Sequence, residues 1–150
     1  MKEKYTNLTC AEMDLSWLIG RSVTEVSFNE AELWYFSFGE KANIGAECLW
    51  RIIKDGRIIL CSKDHGQKFG LPAHIDAAAK SEEILAGRVV KSFRVRGSTA
   101  DITIEFDGDY LLEIIPDSSG YESWQVNDPT GIHYFAQGGG NIVKCTSQIG

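Results

Sequence analysis

The chain has 150 residues, of which 43% are hydrophobic and 24% charged, with 15 glycines and 3 prolines. That length and balance fit one folded domain with a sizeable core and exclude extended disorder. A formal charge of −6 argues against a general nucleic-acid binder or a ligand of anionic membranes, because affinity for phosphate comes mainly from Lys and Arg.

Met1 to Cys10 is polar and lacks the apolar run of a secretory leader. No stretch approaches the roughly 18 consecutive apolar residues of a membrane-spanning helix. The cytoplasm is the expected location, and no membrane contact is expected. Cys10, Cys48, Cys61 and Cys145 form no Cys-x-x-Cys pair, and a chain of this size needs no staples, so reduced, buried thiols are expected.

Asp14 to Val23 reads as a capped short helix, a glycine suited to the left-handed position beyond it, and a valine that opens a strand. The turn at Asn29-Glu30 and the aromatic run Leu33 to Phe38 follow as a strand. Leu49 to Ile53, the turn Lys54-Asp55-Gly56 and Arg57 to Cys61 read as a hairpin that places Cys48 and Cys61 on one apolar face. Asp64-His65-Gly66 has the residues of an acid–base pair, with a solvated loop as the simpler alternative. Pro72 followed by alanines predicts a linker helix over about 72–79.

Ser81 to Val90 then repeats the pattern of Asp14 to Val23 at a constant offset of 67 residues, with Leu18, Gly20, Arg21 and Val23 recurring as Leu85, Gly87, Arg88 and Val90. Lys91, Arg94 and Arg96 lie on an extended segment read as a solvated strand face. Asp101 to Phe106 answers the first aromatic strand. Tyr121 to Val126, the loop Asn127 to Gly131 and Ile132 to Ala136 answer the first Trp hairpin, with Trp124 in the place of Trp50. Gly138 to Gly140 lacks the following helix that a phosphate cradle needs, so it reads as a turn or bulge. Asn141 to Cys145 reads as a terminal strand.

These elements predict an α+β domain with an internal duplication, about 14–62 and 81–136. Each copy is a short helix plus an antiparallel β-meander, and the copies pack as related sheets or as one curved sheet. The second Trp hairpin differs from the first by carrying hydrogen-bonding groups. Pairing Val126 with Ile132 puts Ser123, Gln125, His133 and Gln137 on one face with Tyr121 and Phe135, and Trp124, Val126 and Tyr134 on the other. Tyr121, Ser123, Gln125, His133 and Gln137 are therefore the candidate ligand or partner residues. The simpler alternative is one wet face of an antiparallel sheet.

Several motifs bear on relatives. LWRI at 49–52, HGQKFGLP at 65–72, DAA at 76–78, SSGYESWQ at 118–125 and AQGGG at 136–140 resemble a family of small bacterial accessory proteins, a domain of unknown function. The resemblance implies no catalytic residue. With no nucleophile elbow, catalytic-cysteine context or clustered metal ligands in the sequence, neither metal nor cofactor is expected. The leading expectation is a non-catalytic binding protein acting through another protein, neutralisation of a toxin by an immunity-like protein being one form. The alternative is a small-molecule-binding protein or enzyme with a polar pocket at the second Trp hairpin, with His133 or Glu122 as acid–base group. Self-association through a sheet edge or aromatic patch stays open.

Overall fold

Alternation of apolar and polar residues makes most of this chain extended. The computed structural model, which describes residues 2–148, contains β1 (Lys2–Leu8), β2 (Glu25–Phe28), β3 (Trp34–Ser37), β4 (Asn43–Ala46), β5 (Leu49–Lys54) and β6 (Arg57–Cys61), then α1 (Ala77–Leu85). β7 (Val90–Val95), β8 (Ile102–Phe106), β9 (Tyr110–Ile115), β10 (Trp124–Asn127), β11 (His133–Gln137) and β12 (Asn141–Gln148) follow. The first sheet has the order β1-β12-β11-β10-β4-β3-β2 and the second β6-β5-β9-β8-β7. Every strand pairing is antiparallel. No helix among the described residues is long and apolar enough to cross a membrane.

The period-2 pattern decides what lies inside. Trp34 and Phe36 of β3, and Trp124 and Val126 of β10, point inward from the first sheet. Trp50 and Ile52 of β5, Ile102, Ile104 and Phe106 of β8, and Leu112 and Ile114 of β9 point inward from the second. All belong to one buried cluster. The rings of Trp34 and Phe36 meet Trp50 edge-on across the sheets at 5.0 and 5.2 Å.

The chain visits the sheets in a regular way. β2, β3 and β4 form a meander in the first sheet, the chain crosses at Glu47-Cys48, and β5 and β6 form a hairpin in the second. β7, β8 and β9 form a meander in the second sheet, the chain crosses over residues 116–123, and β10 and β11 form a hairpin in the first. The blocks β11-β10-β4-β3-β2 and β6-β5-β9-β8-β7 therefore have the same order with the halves exchanged. β1 and β12 extend only the first sheet.

The expected α+β architecture is overturned: among the described residues, twelve strands in two antiparallel sheets and a single α-helix make the fold mostly β. The two expected helix starts fail for physical reasons. Asp14 accepts the Ser16 amide at 2.9 Å in a local turn, and only a three-residue 3₁₀ segment, Ser16–Leu18, follows. Ser81 is no cap. It is buried inside α1, where its hydroxyl donates to the Ala78 carbonyl at 3.0 Å, and the cap is Asp76, whose carboxylate accepts the Ala79 amide. The linker helix expected over 72–79 and the one expected after Ser81 are thus one helix.

The Gly-Arg steps do behave alike. Gly20 and Gly87 adopt φ of 86° and 72°, which glycine reaches at no steric cost. Arg21 Nε donates to the Trp17 carbonyl at 3.0 Å, and Arg88 Nε to the Ile84 carbonyl at 2.9 Å. Arg21 lies over the Trp17 ring and Arg88 over the Tyr110 ring. The glycine triplet is also explained by close packing. A Cβ at Gly138 would stand 2.5 Å from the Gly120 carbonyl carbon, and one at Gly140 would stand 2.3 Å from the Ser98 oxygen.

Trp50 and Trp124, the matching tryptophans of the two hairpins, separate chemically. Trp124 Nε1 donates to the Ala100 carbonyl at 2.8 Å. Trp50 Nε1 is buried without a partner, and the bulky ring of Trp34 lies against it. Trp50→Phe and Trp124→Phe delete the same atoms, but only Trp124→Phe breaks a hydrogen bond and strands a buried carbonyl. We expect Trp124→Phe to cost about 1–3 kcal/mol more than Trp50→Phe. Urea unfolding of the two variants measures the gap, and equal losses contradict it.

Candidate functional site

The second Trp hairpin forms as β10 and β11, with Trp124 opposite Ala136, Gln125 opposite Phe135, Val126 opposite Tyr134 and Asn127 opposite His133. The pairing expected between Val126 and Ile132 does not occur. Asp128 closes the loop: its amide donates to the Ile132 carbonyl, and its Oδ1 accepts from the Thr130 amide, the Thr130 hydroxyl and the Ile132 amide at 2.7–3.0 Å. The register moves by two residues, which leaves Gln125, His133 and Gln137 on their expected face.

Gln125, His133 and Gln137 lie on the outer face of the first sheet with Phe135, while Trp124, Val126, Tyr134 and Ala136 are buried. Ser123 is not on that face. It is 3% exposed, and its amide and hydroxyl both donate to the Ala136 carbonyl, at 2.9 and 3.4 Å. Tyr121 is 81% exposed in the connection before β10, where its amide donates to Ser118 Oγ at 2.9 Å. Gln137 accepts from Asn141 Nδ2 at 3.2 Å. Glu122 precedes β10 while His133 opens β11, so these two groups stand at opposite ends of the hairpin. Partial burial, and then the charge of Glu47, push the Glu122 carboxyl above its ordinary range.

Neighbouring strands complete the outer face. β4 pairs with both β10 and β3, which aligns His133, Asn127, Asn43 and Ser37 in one row and Phe135, Gln125, Gly45 and Tyr35 in the next. Asn127 Nδ2 donates to Asn43 Oδ1 at 2.8 Å, and Asn127 Oδ1 is hydrogen-bonded to His133 Nδ1. Asn127 Oδ1 can only accept, so Nδ1 carries the hydrogen. Gln125 Nε2 donates to the Tyr35 hydroxyl at 3.3 Å across Gly45, and the His133 ring stacks on Phe135 at 6.5 Å. Asn43, Asn127 and Tyr35 escaped the sequence reading. Asparagine is depleted in strands, so Asn43 and Asn127 flanking apolar runs were the available signal.

A second concave region lies where β3, the Glu47-Cys48 crossing and the turn after β6 meet. A cavity of about 400 Å³ is lined by Phe28, Trp34, His65, Glu32, Glu47, Cys48, Leu49, Ser62, Lys63 and Asp117. The rings of Phe28 and Trp34 are 4.1 Å apart, and His65 stands 5.0 and 5.2 Å from them. His65 does not pair with Asp64. Its Nδ1 accepts the Ala77 amide at 3.1 Å, while Asp64 accepts the Cys61 amide at 2.9 Å. With Nδ1 accepting, the neutral His65 ring carries its hydrogen on Nε2. Cys48 is buried, and Cys61 lies opposite Arg51 on the second hairpin strand. Among the described residues no group of three His, Cys, Asp or Glu side chains is placed to hold a metal ion.

Compared with protein-family models, curated proteins and solved structures, the chain matches none. The reading of both regions therefore rests on their own residues.

Burial, reinforced by Asp117, pushes the Cys48 thiol up to about 12 from an ordinary 9.0. The folded chain then holds this proton more tightly than the unfolded chain. Its contribution to stability is complete below about 9 and is lost as pH rises toward about 12. The stability advantage of wild type over Cys48→Ala should accordingly shrink from pH 8 upward in urea titrations. An advantage that stays constant to pH 11 would contradict the assignment.

Proposed function

We propose that this is a non-catalytic binding protein that contacts another protein through the outer face of the first sheet. The observation that carries the reading is the row His133, Asn127 and Asn43, hydrogen-bonded across three adjacent strands and flanked by the Gln125–Tyr35 pair. Side chains already held in place lose less freedom on binding than mobile ones, which lowers the entropic cost of an interface. Aromatic groups with polar tips suit such contacts, since they bury area while keeping a hydrogen bond available. Tyr35 on the face and Tyr121 beyond its end supply them, and Phe135 adds apolar area.

The charge of −6 favours a basic partner through long-range attraction. Neutralising a toxin in the manner of an immunity protein, in a bacterial cytoplasm, is one concrete form and agrees with the family resemblance. We also read the two halves as diverged copies of one ancestral unit. The exchanged strand order and the matching Arg21 and Arg88 contacts support that reading.

Affinity capture with wild type beside Tyr35→Ala and Asn127→Ala tests the face. A partner identified with wild type should bind at least ten-fold more weakly to both variants, with their melting temperatures within a few degrees of wild type. A partner retained at full affinity by both folded variants would sink the proposal.

A further inference from the structure

We propose that the cavity between Phe28, Trp34 and His65 is a binding site for an organic cation, an alkylammonium or guanidinium group. The cavity lies on a different surface from the sheet face and shares no lining residue with it.

Three features define the ligand. The first is the wall. Phe28, Trp34 and His65 form a cluster of three rings with centroid separations of 4.1–5.2 Å. The wall is rigid: Trp34 is pinned edge-on against Trp50, and His65 is tied to the first turn of α1 through the Ala77 amide. Aromatic faces attract cations through their quadrupole, most strongly when the site is partly dry.

The second is the rim. Glu32, Glu47 and Asp117 line the cavity against the single ammonium of Lys63. Among the described residues the ion pairs are Arg51–Glu113 and Lys54–Asp55, and neither touches these carboxylates. The negative field reaches neighbouring groups, because Asp117 adds to the upward push on the Cys48 thiol and Glu47 to that on the Glu122 carboxyl. Burial is the larger cause of both shifts, and a cation in the cavity would offset the added charge contribution.

The third is size. About 400 Å³ falls within the range of small-molecule pockets and holds a trimethylammonium or guanidinium head with its stem. Excess negative charge rejects an anion. The cavity's carboxylates are not grouped closely enough to ligate a bare metal ion, since no three His, Cys, Asp or Glu side chains among the described residues are so placed.

The same chemistry comes from a free metabolite or from a Lys or Arg side chain of a bound protein, and the test separates the two. The full-length protein is titrated with choline, with arginine and with N-acetyl-arginine-N-methylamide, which mimics a side chain in a polypeptide. The uncharged choline isostere 3,3-dimethylbutanol is the control. Indole N–H signals in NMR spectra report binding, with Trp34 assigned through Trp34→Phe.

We expect saturable shifts of the Trp34 signal with at least one cation, and none with the isostere at the same concentration. Preference for choline or free arginine identifies a metabolite source, and preference for the capped arginine identifies a protein side chain. Glu47→Gln and Asp117→Asn alter exposed side chains, and each should weaken binding about three- to ten-fold, more so at low ionic strength. No saturable shift with any cation, equal binding of the isostere, or full affinity in both variants would overturn the proposal.

Discussion

The pairing of β4 with β10 and of β5 with β9 holds this molecule together. Each half of the chain builds a three-stranded meander and then sends its hairpin into the other half's sheet. A lone half would leave two unpaired edges, one on its meander and one on its hairpin, with exposed amides and carbonyls. The crossings at Glu47-Cys48 and at 116–123 are therefore fixed by both sheets at once. Loops so anchored are a rigid place to build a cavity, and Glu47, Cys48 and Asp117 of the cavity wall come from them.

The two halves use the same route but finish it differently. After β11 the chain turns through Gly138–Gly140, whose missing side chains let it rest on the backbone of residues 98–99 and 119–120. After β6 the corresponding 3₁₀ turn is Ser62–Asp64, followed by His65. Here side chains meet side chains, and the first half has Trp34 where the second has Ile102. The larger ring lies against Trp50, whose indole nitrogen has no acceptor, whereas Trp124 reaches the Ala100 carbonyl. An unsatisfied buried donor costs stability, and it is tolerated beside the aromatic wall of the cavity.

How much of this was legible in the sequence depends on the range of the interaction. Strand positions follow from alternation within a few residues, so the runs at 33–38 and 101–106 were readable as strands, and the faces of Trp124, Gln125 and His133 were correct despite the shifted register. Helix boundaries were not readable, because Ser81 and Asp76 both have cap-forming side chains and only packing against β2 selects between them. The exchange of hairpins was invisible, since nothing local distinguishes a strand that pairs with its neighbour from one that pairs with the other half. His65 was noticed as a loop histidine, yet its contact with Phe28 and Trp34 joins residues more than 30 positions apart. The cavity depends on that contact, and no window along the chain contains it.

The sheet face and the cavity share strands but differ in what water does at each. On the outer face His133, Asn127, Asn43, Gln125 and Tyr35 satisfy one another, so a partner gains little by replacing those bonds and most by excluding solvent around them. In the cavity three carboxylates outnumber the one ammonium of Lys63, and an aromatic wall that excludes water strengthens any attraction a ligand brings. Trp34 and Tyr35 are adjacent on β3 and face opposite ways. Because β3 is hydrogen-bonded on both sides, to β2 and β4, a ligand seated against Trp34 works on a rigid strand. The physical expectation is that occupancy of the cavity stiffens the strand presenting Tyr35 without moving it, so the two surfaces act as separate recognition elements on one frame.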